Sequence, residues 1–66
     1  MRKLTYKIVE ETPNSQTHKF IEFITDRTPQ WTEEQYLRNR INTKMELIGD
    51  EETEETEPIS REVRLG

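Results

Sequence analysis

Apolar side chains occupy every second position near the start of the chain. Leu4, Tyr6 and Ile8 follow this repeat, which is typical of a β-strand with one buried face. We therefore expect a first strand at residues 3–11. A cluster of Thr, Pro, Asn, Ser and Gln follows at residues 12–16 and predicts a turn, because these residues favour turn conformations.

The next apolar segment, residues 18–25, has an ambiguous spacing. It contains Phe20, Ile21, Phe23 and Ile24, which fit one face of a helix about as well as they fit a strand. The segment is short, aromatic and β-branched, and it follows a strand across a short turn, so a β-hairpin is favoured over a helix.

A helix start is predicted at Thr32. Its hydroxyl can accept a hydrogen bond from the backbone of Gln35, and Gln35 can reach back in a capping box. Trp31 and Tyr36 have the spacing of a hydrophobic staple around that cap. These signals predict that the helix begins at Glu33.

Four apolar residues then recur at helical spacing: Leu37, Ile41, Met45 and Ile48. This stripe predicts a helix over residues 33–48, with Gly49 at the left-handed position that follows a helix end. A rival interpretation ends the helix near Asn42 and makes residues 44–48 a strand, since Asn and Thr lower helix propensity here.

The end of the chain combines an acidic run with a second alternating pattern. Residues 50–57 contain six carboxylates in eight positions, and we expect a flexible loop because the run has no apolar side chains to bury. Residues 59–65 alternate and predict a C-terminal strand of the same domain, or otherwise a tail.

The predicted fold is α+β, in the order ββαβ, with an antiparallel sheet packed on the helix. Its compact core spans residues 1–49, the acidic loop residues 50–57, and the strand or tail residues 58–66.

The acidic run carries all of the chain's net charge of −4. Residues 1–49 are nearly balanced, with eight basic and seven acidic side chains. The run is therefore either a solvated connection or an acidic surface for a basic partner.

Few side chains in the sequence are candidates for catalysis or metal binding. His18 is the only histidine and there is no cysteine. The sequence therefore lacks the combinations of His and Cys ligands that usually bind zinc, and it lacks a catalytic Cys/His pair. We expect no enzymatic activity, cofactor or metal site. Apolar runs do not exceed two residues, which predicts no membrane span and a cytoplasmic protein.

The whole chain, a tiny cysteine-free acidic sequence of apparent order hairpin, helix, strand, resembles the small host-takeover proteins of bacteriophages. The resemblance implies an inhibitor or accessory factor that docks on a host protein. It includes no shared motif, so no functional residues are carried over from it.

The predicted function is therefore protein binding, with the acidic surface acting by steering or by nucleic-acid mimicry. The partner would be a protein, for example a basic nucleic-acid-binding enzyme. The candidate partner-binding residues are Asp50, Glu51, Glu52, Glu54, Glu55, Glu57, Trp31, Tyr36 and Phe23.

Two alternatives stay open. Arg38, Arg40 and Lys44 share the predicted helix with Tyr36, and basic side chains beside an aromatic ring can bind nucleic acid. The other alternative is a structural module that forms oligomers, for which a homodimer is the simplest case.

Overall fold

Four strands and one helix follow one another in the order ββαββ. The structure is a computed structural model that describes residues 1–64. The elements are β1 (Arg2–Glu11), β2 (Gln16–Thr25), α1 (Pro29–Leu37), β3 (Thr43–Glu52) and β4 (Ile59–Val63). All neighbouring strands are antiparallel, in the order β3-β1-β2-β4. The predicted α+β class, with one helix and an antiparallel sheet, is confirmed, but the predicted ββαβ order lacks one strand.

The hairpin of β1 and β2 agrees with the sequence pattern. Leu4 lies opposite Phe23 and Tyr6 opposite Ile21, so these four apolar residues meet on one face of the hairpin. Thr12 closes the turn, since its N–H donates to the Ser15 carbonyl at 2.8 Å. The second apolar segment is therefore a strand, as the hairpin interpretation predicted.

The helix begins earlier than predicted. Thr28 is its N-cap, and the Thr28 hydroxyl accepts a hydrogen bond from the Trp31 N–H at 3.1 Å. Pro29 occupies the first turn, where its fixed φ suits a helix and its missing N–H costs nothing. Thr32 instead lies inside the helix and is buried. The predicted cap at Thr32 was wrong because the Thr-Pro pair starts the helix one turn upstream.

The predicted helix end was also wrong. α1 ends at Leu37, and Asn42 adopts a left-handed φ of 54° just before β3 begins. Pairing with β1 gives nine residues of β3 a partner in the sheet, and it brings Met45 against the core. This tertiary pairing outweighs the helical spacing of the apolar residues. The rival interpretation, with a strand after Asn42, was closer, and Gly49 lies within β3 opposite Thr5.

The core lies between the sheet and α1. Leu4, Tyr6 and Ile8 are fully buried on the face of the sheet that the helix covers, here called the helix face. The partly buried residues packed against them are Ile21, Phe23, Tyr36 and Met45. The Tyr6 hydroxyl donates to the Pro29 carbonyl at 3.2 Å and contacts the Glu33 carboxylate at 3.1 Å. One β1 tyrosine therefore ties the sheet to the start of the helix.

The acidic run is divided between two elements. Asp50, Glu51 and Glu52 belong to β3, where they lie opposite Leu4, Lys3 and Arg2. The predicted loop at residues 50–57 was therefore too long at its start, because β1 offers a partner strand there. The connection that remains, residues 53–57, is called the acidic loop below.

The acidic loop must pass from one edge of the sheet to the other, because β3 and β4 are the two edge strands. β4 pairs with β2, with Phe23 opposite Ser60 and Ile24 opposite Ile59. The C-terminal segment is thus a strand rather than a tail, and Leu65 lies outside the described residues. No helix among residues 1–64 has the length and apolar character needed to span a membrane.

Candidate protein-binding groove

Basic side chains partly neutralise the acidic run. Arg2 Nε lies 2.8 Å from Asp50 Oδ1, and Lys3 Nζ lies 2.7 Å from Glu51 Oε1. Each hydrogen-bonded carboxylate raises the pKa of its basic partner, and the charge attraction adds to this effect. The β3 part of the run is therefore tied to the start of β1.

Glu22 links three strands on the face of the sheet opposite α1, called the open face below. It accepts a hydrogen bond from Arg61 at 2.9 Å and lies 3.5 Å from Lys3 Nζ. The hydrogen bond from Arg61 lowers the pKa of Glu22, and Lys3 contributes less to the shift. Arg61 also contacts Glu55 at 3.4 Å. This chain of ion pairs holds the acidic loop against β4 and β2.

Two loop carboxylates remain without such a partner. Within residues 1–64, neither Glu54 nor Glu57 forms an ion pair. Both are exposed, while Thr53 at the start of the loop donates its N–H to the Met1 carbonyl at 3.0 Å. The loop is thus anchored at its start and presents uncompensated negative charge to solvent.

A shallow groove lies beside the end of the acidic loop, between the start of α1 and the start of β4. It has a volume of about 280 Å³. The residues that line it are Phe23, Ile24, Thr25, Trp31, Thr32, Pro58, Ile59 and Ser60. Trp31 is 42% exposed and Ile59 is 39% exposed, so two large apolar side chains border the groove and remain accessible. Such an apolar depression suits an apolar side chain of a partner.

The ring of Trp31 has a basic neighbour. The guanidinium carbon of Arg27 lies over the indole at 5.3 Å from the ring centroid, within the range of a cation–π contact. Arg27 also lies 3.8 Å from the Asp26 carboxylate. Arg27 therefore contacts the ring of a residue that also lines the groove.

Only some of the predicted site residues lie together at the groove. Trp31 lies in the groove, and Glu57 directly precedes the groove residue Pro58. Phe23 borders the groove but packs mainly in the core, edge to face with Tyr6 at 5.8 Å and with Tyr36 at 5.9 Å. The predicted anchor Tyr36 does not line the groove; it is partly buried and packs against the core.

Asp50, Glu51 and Glu52 lie on β3, at the opposite edge of the sheet from β4. They therefore do not border the groove. Pro58 and Ile59 were missed by the sequence reasoning. A proline and an isoleucine directly after an acidic run were the available signal, but they were interpreted only as the start of a strand.

The basic and aromatic residues of the nucleic-acid alternative are not on one helix. Lys44 lies on β3, and Arg38 is the C-cap residue of α1. Arg40 lies beyond the helix and places its guanidinium 4.2 Å from the centroid of the Tyr36 ring. The predicted basic helix face is therefore not formed.

His18 lies exposed on β2, where its Nε2 contacts Gln16 Oε1 at 3.0 Å. Residues 1–64 contain no group of three or more His, Cys, Asp or Glu side chains arranged to hold a metal ion.

No protein-family model, curated protein or solved structure matches this chain.

Proposed function

We propose that the protein is a small non-enzymatic binding module, acting as an inhibitor or accessory factor on a protein with a basic surface. The observation that carries this proposal is the groove between α1 and β4, where the exposed Trp31 and Ile59 lie beside the acidic loop. An apolar side chain of the partner enters the groove, and the loop attracts the basic surface around it.

The distribution of charge supports steering more than nucleic-acid mimicry. A mimic needs a row of carboxylates at the spacing of phosphates, but Asp50, Glu51 and Glu55 are already paired with basic side chains. Glu57 directly precedes the groove residue Pro58, and Glu54 adds to the same loop a second carboxylate that is unpaired within residues 1–64. A local negative field raises the rate of association with a positive surface, and its effect falls as salt increases.

The test is a capture experiment from bacterial lysate with the tagged chain, at low and high salt. Trp31→Ala should lose the captured protein because it removes the groove's largest apolar side chain. Ile41→Ala is the matched control, since Ile41 is also exposed and apolar but does not line the groove. The control should retain the partner.

A second pair of variants separates the acidic loop from overall charge. Glu54→Gln with Glu57→Gln should weaken capture and reduce its dependence on salt. Glu11→Gln with Glu34→Gln changes the net charge equally at exposed positions outside the loop and the groove lining, and should have little effect. Equal loss with both pairs would contradict the proposal, as would enrichment of nucleic acid alone.

A further inference from the structure

The outer edge of β3 differs from the other edge of the sheet. β3 has ten residues and β4 has five, and no strand among residues 1–64 pairs with the outer side of β3. Long free edges tend to pair with another chain, and proteins usually protect them.

Exposed apolar residues concentrate at this edge. Ile41, just before β3, is 86% exposed, while Leu47 and Ile48 on β3 are 39% and 46% exposed. The other large apolar residues with high exposure among residues 1–64 are Trp31 and Ile59, which belong to the groove. The β3 edge is therefore a second, separate apolar surface.

A bulge defines how far regular pairing could extend. Thr5 lies opposite Gly49, and Tyr6 lies opposite Leu47, so Ile48 is an extra residue in β3. A bulge disturbs the ladder at that point. The regular part of the strand before it runs from Thr43 to Leu47 and has Met45 at its centre.

This regular part is complementary to itself. Two antiparallel copies that are centred on Met45 place Lys44 of one copy opposite Glu46 of the other, twice. Lys44 and Glu46 lie opposite Val9 and Lys7 of β1, so both are on the open face. Both are exposed, and neither forms an ion pair within residues 1–64.

We propose that the β3 edge binds a second copy of this chain, forming a two-fold antiparallel pair centred on Met45. The interface is isologous, since each copy contributes the same patch. It makes one continuous eight-stranded sheet with α1 of both copies on the same side. In this register Thr43 of one copy faces Leu47 of the other, and the exposed Ile41 comes close to Ile48 of the other copy.

The homodimer leaves the proposed binding groove free. β3 and β4 are at opposite edges of the sheet, so the two grooves lie at the two outer ends of the dimer. The dimer does not depend on the groove being a binding site, and either proposal can fail without the other.

Sedimentation equilibrium of the purified chain from about 5 µM to about 1 mM tests the dimer directly. The expected result is a concentration-dependent shift from monomer to dimer. A monomer throughout this range overturns the proposal.

Charge reversal tests the register. Lys44→Glu alone and Glu46→Lys alone each place like charges opposite one another in a homodimer, and each should raise the dissociation constant by roughly tenfold or more. An equimolar mixture of the two variants restores both opposite-charge pairs and should form a heterodimer. A mixture that dimerises no better than the separate variants overturns the register.

Two substitutions of apolar residues test the β3 edge without changing position 46. Glu46 lies opposite Lys7 within the same chain, so its charge reversal also alters a pair inside the monomer. Leu47→Lys should abolish the dimer. Ile59→Lys changes a residue of equal exposure on the opposite edge strand and should leave it intact. Circular dichroism confirms that each variant is folded, and equal effects of the two substitutions contradict the proposal.

Discussion

At the scale of single residues, Tyr6 and Glu22 show how one side chain can hold several elements. Tyr6 is fully buried in β1, and its hydroxyl reaches Pro29 and Glu33 at the start of α1. Glu22 joins Arg61 and Lys3 across three strands. The apolar repeat predicted that Tyr6 would be buried, but contacts between residues 19 or more positions apart depend on the topology and could not be predicted.

Tyr6 makes the protein sensitive to alkaline pH. Burial raises the pKa of Tyr6 above its ordinary value of 10.0, and the charge of Glu33 adds to the shift. The neutral phenol is therefore favoured in the folded state, so its contribution to stability is complete below pH 10.0 and is lost as pH rises towards the folded pKa.

The Tyr6→Phe variant should unfold more easily near neutral pH, by about 1 kcal/mol, because the hydroxyl contacts are lost. Its free energy of unfolding should fall less between about pH 9 and about pH 11 than that of the parent protein. Urea denaturation at several pH values measures both effects. Tyr36→Phe is the control, and an identical alkaline response of the parent and Tyr6→Phe would contradict the account.

Glu22 makes the stability of the protein sensitive to acidic pH. Arg61 and then Lys3 lower its pKa from the ordinary 4.5, so its contribution is present above pH 4.5 and is lost as pH falls through the folded pKa. Glu22→Gln should lower the thermal midpoint at neutral pH, and the difference from the parent should shrink in acid. Glu34→Gln, at an exposed helix position, should show no such difference. A constant deficit at all pH values would mean that the ion pairs do not cause the loss.

At the scale of elements, those that local sequence determines could be predicted better than those that depend on pairing with a distant strand. The hairpin was predictable because the apolar residues of β1 follow a clear repeat. The span of α1 was not predictable, because Thr32 satisfies the rules for an N-cap nearly as well as Thr28. β3 was missed as the main interpretation because its apolar residues also fit a helical stripe, and only pairing with β1 decides between the two.

The N-cap offers a test of the observed helix start. Thr28→Ala should cost about 1 kcal/mol of stability because the Trp31 N–H loses its acceptor. Thr28→Ser keeps a hydroxyl and should recover most of this loss. Chemical denaturation at neutral pH measures the effect, and a Thr28→Ala variant as stable as the parent would contradict the capping role.

At the scale of the whole molecule, the sheet separates two apolar surfaces and places the acidic charge near one of them. The connection from β3 to β4 crosses from one sheet edge to the other, so the acidic loop ends at the groove where Trp31 and Ile59 lie. Sequence reasoning identified the acidic run and Trp31 as candidates. It could not show that they meet, nor that Tyr36 packs against the core, because both facts depend on how α1 packs on the sheet.

Trp31 is the only tryptophan in the chain, so its fluorescence reports directly on the groove. The decisive measurement is the Trp31 emission spectrum during titration with the partner that the parent chain captures, with a tryptophan-free segment of that partner used where its own emission interferes. If the groove binds the partner, the emission should shift to shorter wavelength as the indole is covered, and the apparent affinity should fall as salt increases. Binding that leaves the Trp31 emission unchanged would show that the partner docks elsewhere and would contradict the proposed function.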